Sequence, residues 1–186
     1  MIVISSEHGF PYPEPVGLVY RNCVLLDRET RFETLARILD LIGSLRQIGA
    51  RLSLPIMLAM LPQPYGKMGN AEEGLSLIDD TLNEMEQTSE YQMQAEFHRL
   101  KEELMLLQTA SNAVEAERSF RTAIDIARSQ EAKSLELRAT TSLARLLAKQ
   151  GRRDEARAML AEIYNWFTEG FDTADLKDAK ALLEQP

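Results

Sequence analysis

The chain has 186 residues, 45% of them hydrophobic and 27% charged, which is enough to bury the core of an ordinary globular protein. Its formal net charge of −8 argues against non-specific nucleic-acid binding, which needs a surplus of Lys and Arg, and against docking on an anionic membrane. Cys23 is the only cysteine, so no internal disulfide can form; no apolar run reaches the roughly 18 residues of a membrane span, MIVISSEHGF lacks the basic and apolar regions of a secretory signal, and a cytoplasmic location is expected.

Ala, Leu, Glu, Arg and Gln are abundant, and these are good helix formers. No segment alternates Val, Ile, Thr and aromatics as a strand would. The expected fold is therefore all-α. Helices are predicted over 15–27, 30–49, 51–66, 71–88, 91–109, 112–130, 132–150, 153–167 and 174–184, the last capped by Asp172 or Thr173. AMLPQPYGK places Pro62 and Pro64 inside the third of these. Proline removes a donor and clashes with the preceding turn, so that helix is predicted to kink or stop near Met60.

One pattern recurs along these helices: a small residue, an apolar one at +4, and a small or apolar one at +7. The sets are Thr34, Ile38, Leu41; Gly74, Ile78, Thr81; Ala116, Phe120, Ala123; and Ala156, Leu160, Ile163, with leading residues 40, 42 and 40 apart. Offsets of four and seven put each set on one helix face. The small leading residues Thr34, Gly74, Ala116 and Ala156 are expected to pack neighbouring helices closely. Gly69 and Gly151 each stand five residues before their set, as helix-ending glycines do. TASNAVEA replaces that glycine turn in the third unit, and DRETRFET in the first. A helix pair of this kind cannot bury its apolar faces alone, and stacking completes the burial. The chain reads as a single domain over 1–186: a solenoid of about four hairpins, near 12–50, 51–89, 90–131 and 132–170, with a capping helix over 172–186. That cap turns Leu176, Ala179, Leu182 and Leu183 inward and leaves Asp175, Lys177 and Asp178 exposed.

The small, large, small pattern after a Gly turn resembles the tetratricopeptide repeat. The wording of SEHGFP, YGKMGNAEEGL, AEFHRLKEELML, AERSFRTAIDIAR, KSLELRATTSLARLLAKQGRRDEARAML and IYNWFTEGFDTADLKDAKALL is similar to the C-terminal tetratricopeptide-like region of bacterial predicted ATPases and adenylate/guanylate cyclase-type signalling proteins. The last two stretches are the most specific, and the likeness is weakest from 11 to 55. The resemblance implies a region for protein interaction or signal sensing that follows cyclase and ATPase domains, neither of which is in this chain. SEHGFP resembles the end of a repeat helix, so the chain is expected to begin inside an array. Pro62 and Pro64 depart from the family's helix formers, and Glu102 stands where it usually has Gly.

Little in the sequence points to catalysis. GKMGN has the wrong spacing for a phosphate loop, and no Ser or Thr follows its Lys. His8 and His98 are the only histidines, and neither has Cys or a second His at ligand spacing; no metal and no cofactor are expected. His98 reads as a helix-surface residue. Cys23, in YRNCVLL, reads as a buried structural thiol. Glu72 with Glu73, and Glu102 with Glu103, are adjacent and so point about 100° apart on a helix, not at one another. The aromatics of IYNWF (Tyr164, Trp166, Phe167) read as packing of the eighth helix on the cap. The chain is not expected to be an enzyme.

One feature exceeds this background. Arg138, Thr141, Arg145 and Lys149 recur at i, i+3, i+7 and i+11 along 132–150 as a polar stripe. In tetratricopeptide-like repeats the first helix of each pair lines the concave groove, and Arg99 would project there from the preceding unit. Such a groove could hold an acidic peptide or a C-terminal carboxylate through charge-assisted bonds; a solvated face balancing nearby Glu is the plainer account. The leading expectation is a protein-interaction scaffold, part of an ATPase- or cyclase-type signalling or transcription regulator, whose partner is a protein or acidic peptide. The alternatives are a small-molecule sensor and a self-associating module in which a homodimer covers an open apolar face.

Overall fold

The computed structural model describes residues 13–51, 53–108 and 113–185. SEHGFP, with His8, and the first half of TASNAVEA lie outside them. All regular structure among the described residues is helical. The ten helices among the described residues are α1 (Pro13–Arg28), α2 (Phe32–Gln47), α3 (Leu54–Leu58), α4 (Pro62–Lys67), α5 (Ala71–Thr88), α6 (Gln94–Gln108), α7 (Ala113–Ser129), α8 (Lys133–Lys149), α9 (Arg153–Tyr164) and α10 (Ala174–Leu183). The chain divides into two compact units, Met1–Thr88 and Ser89–Pro186. The division falls at the boundary expected between the second and third hairpins.

In the first unit α1 and α2 form a hairpin, and α3 and α4 pack on α5. Val16, Val19, Cys23 and Leu26 line one face of α1, and Leu35, Ile38, Ile42 and Leu45 one face of α2. Both sets follow the helical spacing of three, four and three. Burial raises the Cys23 thiol to about 11, which leaves it a protonated, inert core residue. The helix predicted over 51–66 is broken. α3 stops at Leu58, and Met60 and Leu61 donate to Met57 and Leu58 in a tightened turn. Pro62 then opens α4. Both Pro62 and Pro64 fall in its first turn, where a helix has no use for their missing N–H groups.

In the second unit each helix packs on the next, and α8 also touches α6 and α10. α8 is consequently buried nearly all round, from Leu137 and Ala139 through Leu143, Ala144 and Leu147. Its small residues let four neighbours close on it. Phe97, Phe120, Leu143, Leu160 and Ala179 are each at most 1% exposed. Full burial of a side chain as large as Phe120 contributes about 3 kcal/mol.

The repeat register is visible in burial. Ile38, Ile78, Phe120 and Leu160, the four +4 residues, are each at most 1% exposed. The leading residues Gly74, Ala116 and Ala156 are buried, and Thr34 is half-buried. Helix ends repeat as well. Residues in the left-handed region fall at Gly49, Gly69, Ser89, Glu131, Gly151 and Gly170. Ser89 follows Gly49 by 40 residues and Glu131 follows Ser89 by 42, the same spacings as the small residues. After Gly49, Gly69, Glu131 and Gly151 the next N–H donates to the carbonyl five residues back, at 2.9 Å in each case, which closes the helix end.

Candidate functional site

The first helices of successive hairpins in the second unit, α6 and α8, lie side by side, with α10 beyond α8. Their polar side chains meet along this face. At its inner end is a buried ion cluster. Arg99 is 6% exposed. It grips Glu96 with two bonds, Nε to Oε2 at 2.9 Å and Nη2 to Oε1 at 2.8 Å. Its Nη1 reaches Glu103 Oε1 at 2.6 Å and Ser142 Oγ at 3.3 Å, while Ser142 donates to Glu103 at 2.6 Å. Burial alone would raise the Glu96 carboxyl, but the Arg99 bonds and charge, with Arg138, outweigh it and hold the group below the usual range. Burial alone would lower the Arg99 guanidinium, and Glu96 and Glu103 outweigh that. Every member is paired, as buried charge requires.

Arg138 continues the ladder outward. It donates to Asp175 Oδ2 at 2.7 Å and to Glu96 Oε1 at 3.3 Å. Arg145 meets Asp178 Oδ2 at 3.2 Å. The stripe expected to be open is thus covered by α10, whose Asp175 is half-buried against Arg138 rather than facing solvent as expected. Arg99 does not line a groove, because Glu96, Glu103 and Ser142 enclose it. Thr141 is buried and donates to the Leu137 carbonyl at 2.7 Å. It sits about 60° round the helix from Arg138, far enough to face the packed interior.

Arg145 and Lys149 remain accessible at the end of the stripe. With Arg153 and Asp178 they rim a solvent-open cavity of about 460 Å³, floored by Ala148, Ala181 and Leu182 and bordered by Gln185. A small cleft of about 20 Å³ adjoins it beneath Ala156, Leu160 and Leu182, room for roughly one water molecule or a methyl group. Arg157 donates to the Gln185 carbonyl across this corner. Among the described lining residues Arg145, Lys149 and Arg153 stand with Asp178, and Arg153 has an interaction of its own. Arg145 and Asp178 are 47% and 65% exposed, and an exposed pair of this kind contributes at most about 1 kcal/mol. A ligand carboxylate can therefore displace Asp178 from Arg145, whereas Arg138 holds two carboxylates and is half-buried.

Sequence reasoning missed Arg153 and Asp178 as rim residues, since they lie on different helices from the stripe. It also missed the Arg99 cluster, although Glu96, Arg99 and Glu103 stand at i, i+3 and i+7, the spacing of an intrahelical ion triad. His98 is half-buried on α6, and burial, then the charge of Lys101, lowers its imidazole. Among the described residues no group of three His, Cys, Asp or Glu could hold a metal ion, and no helix is long and apolar enough to cross a membrane. The chain matches no protein-family model, no curated protein and no solved structure.

Proposed function

We propose that the chain is a non-catalytic interaction scaffold of the tetratricopeptide-like kind, whose corner between α8, α9 and α10 binds an acidic peptide segment. The observation that carries this reading is the cationic rim of Arg145, Lys149 and Arg153 over the apolar floor of Ala148, Ala181 and Leu182, in a chain of net charge −8. Local charge opposite in sign to the whole marks a place where an anionic group is drawn in. A carboxylate would take a bidentate grip from Arg145, and a small apolar side chain would fill the cleft beside Leu160. The four buried +4 residues and the 40-residue spacing support a repeat scaffold. The likeness of KSLELRATTSLARLLAKQGRRDEARAML and IYNWFTEGFDTADLKDAKALL to the wording of the ATPase- and cyclase-type family is what supports the further reading of the chain as a module of such a signalling protein. The open, charge-rimmed cavity fits a peptide better than an enclosed small molecule.

The test is calorimetric titration of the whole chain with a Glu- and Asp-rich peptide bearing a free C-terminal carboxylate. Arg145→Glu with Lys149→Glu should weaken binding at least tenfold, and Asp178→Asn should strengthen it by releasing Arg145. Equal affinity of wild type and the double charge reversal refutes the assignment.

A further inference from the structure

The opposite end of the second unit has the reverse character. Three of its turns meet there, over 89–93, 130–132 and 165–173. Gln130 Nε2 donates to the Tyr91 carbonyl at 2.7 Å, Arg128 lies 4.0 Å from Glu162, and Lys133 Nζ stands 5.9 Å from the centre of the Trp166 ring. Large aromatics are exposed along this edge: Trp166 at 57%, Phe171 at 47% and Tyr91 at 42%. Packing of the IYNWF knot accounts for Tyr164 and Phe167, which are half-buried against the core, but not for Trp166. Phe167 stands edge-on to the indole at 5.2 Å, and Phe171 leans on Tyr164 at 5.7 Å, so the exposed rings are held in place by their neighbours.

The surrounding charge is negative. Glu131, Glu136, Glu162, Glu169 and Asp172 belong to these turns and the helix ends beside them, together with Arg128 and Lys133, and both cations already donate to the buried Glu136 at 2.7 Å. Glu131, Glu169 and Asp172 are exposed. Held aromatics beside the exposed carboxylates of Glu131, Glu169 and Asp172 suit a cation, which an indole face attracts and which the carboxylates steer inward. Lys133 over Trp166 is an internal instance of that contact.

We propose that this aromatic, acidic edge is a docking surface for a Lys- or Arg-rich peptide segment of a partner protein. Aromatic anchors in a complementary rim carry most of the affinity of such surfaces. The edge is independent of the basic corner. Lys133 begins α8 and Lys149 ends it, which separates the two surfaces by about 24 Å along the helix.

Trp166 is the only tryptophan in the chain, so its fluorescence reads this edge alone. Titration of the whole protein with an Arg- and Lys-rich peptide should give a saturable change in emission that weakens as salt rises. Glu169→Lys with Asp172→Lys should reduce affinity at least tenfold, as should Phe171→Ala, which leaves the charge intact and is also followed by calorimetry. Glu33→Lys with Glu72→Lys makes the same change in net charge far along the chain, and should leave affinity within twofold. Equal losses from the two charge-reversed pairs would overturn the proposal in favour of general attraction to an acidic protein. No saturable signal would overturn it too, as would emission that shifts with protein concentration alone, the mark of a second copy covering the edge.

Discussion

Arg138 donates to Asp175 at 2.7 Å and to Glu96 at 3.3 Å, so a single guanidinium ties α10 to α8 and α8 to α6. The cap also rests on Leu176 and Ala179, which makes its docking partly apolar and partly ionic. Arg138→Met should lower stability by about 1–2 kcal/mol, since it strands a half-buried Asp175 and removes one partner of Glu96. The loss should concentrate in α10, read as faster amide exchange there than in α8. Arg138→Lys should not restore it, because a point ammonium cannot reach two carboxylates in a planar fork. Unchanged exchange in α10 would show that the apolar contacts alone hold the cap.

Arg99 sets a harsher test. Arg99→Met leaves Glu96 buried without its bidentate partner, and breaking such a pair costs about 3–5 kcal/mol. Adding Glu96→Gln should return a good part of that, since the stranded charge is then gone. The pH dependence follows from the direction of the Glu96 shift. A carboxyl held below its unfolded value contributes stability that is complete above the ordinary glutamate range and is lost as pH falls through the lowered one. The stability gap between wild type and Glu96→Gln should therefore be largest near neutral pH and close on acidification, as measured by chemical denaturation at several pH values.

The helices and the repeat register were legible because they depend on local spacing: 71–88 is α5 to the residue, and the break before Pro62 follows from one missing donor. The hairpin ends near 89 and 131 were legible in position, but not in conformation. Ser89 and Glu131 adopt the left-handed conformation that Gly49 and Gly151 adopt freely, and nothing in their side chains announces it. The stripe on α8 was legible as a pattern and misleading as a surface. A spacing of i, i+3, i+7 and i+11 fixes one helix face but not what covers it, and Asp175, which covers Arg138, lies 37 residues on. Arg145 and Lys149 stay accessible only because they sit past the turn of α10 that carries Asp175.

Glu102 marks a place where the resemblance and the packing disagree. It is 6% exposed, at the position that Ala144 fills one hairpin later. Burial raises its carboxyl, the hydrogen bond with Ser119 opposes this, and Glu115 adds to the rise. A raised carboxyl penalises the fold when charged, so the cost is complete above its folded range and disappears as pH falls below the unfolded one. Glu102→Gln keeps the shape and the bond to Ser119, and should stabilise the protein by about 1 kcal/mol near pH 7, with the gain vanishing in acid. A gain that persists at low pH would assign the effect to packing rather than charge.

Glu131 and Gly151 perform the same backbone task with different freedom. Glu131 holds φ at 54° and Gly151 at 82°, and each is followed by a 2.9 Å bond that closes its helix. An L residue in that region pays about 1 kcal/mol in clash between Cβ and the next carbonyl, whereas glycine has no Cβ. Nothing stands within 4 Å of a Cβ built on Gly151, so Gly151→Ala should cost only this backbone strain, about 1 kcal/mol. Glu131→Gly should run the other way, with a gain of about 0.5 kcal/mol after the extra freedom of glycine in the unfolded chain is subtracted. Thermal denaturation of the two variants should show midpoints moved in opposite directions. If Glu131→Gly lowered the midpoint instead, Glu131 would be contributing through its side chain, and the carboxylate rather than the backbone would be what this turn requires.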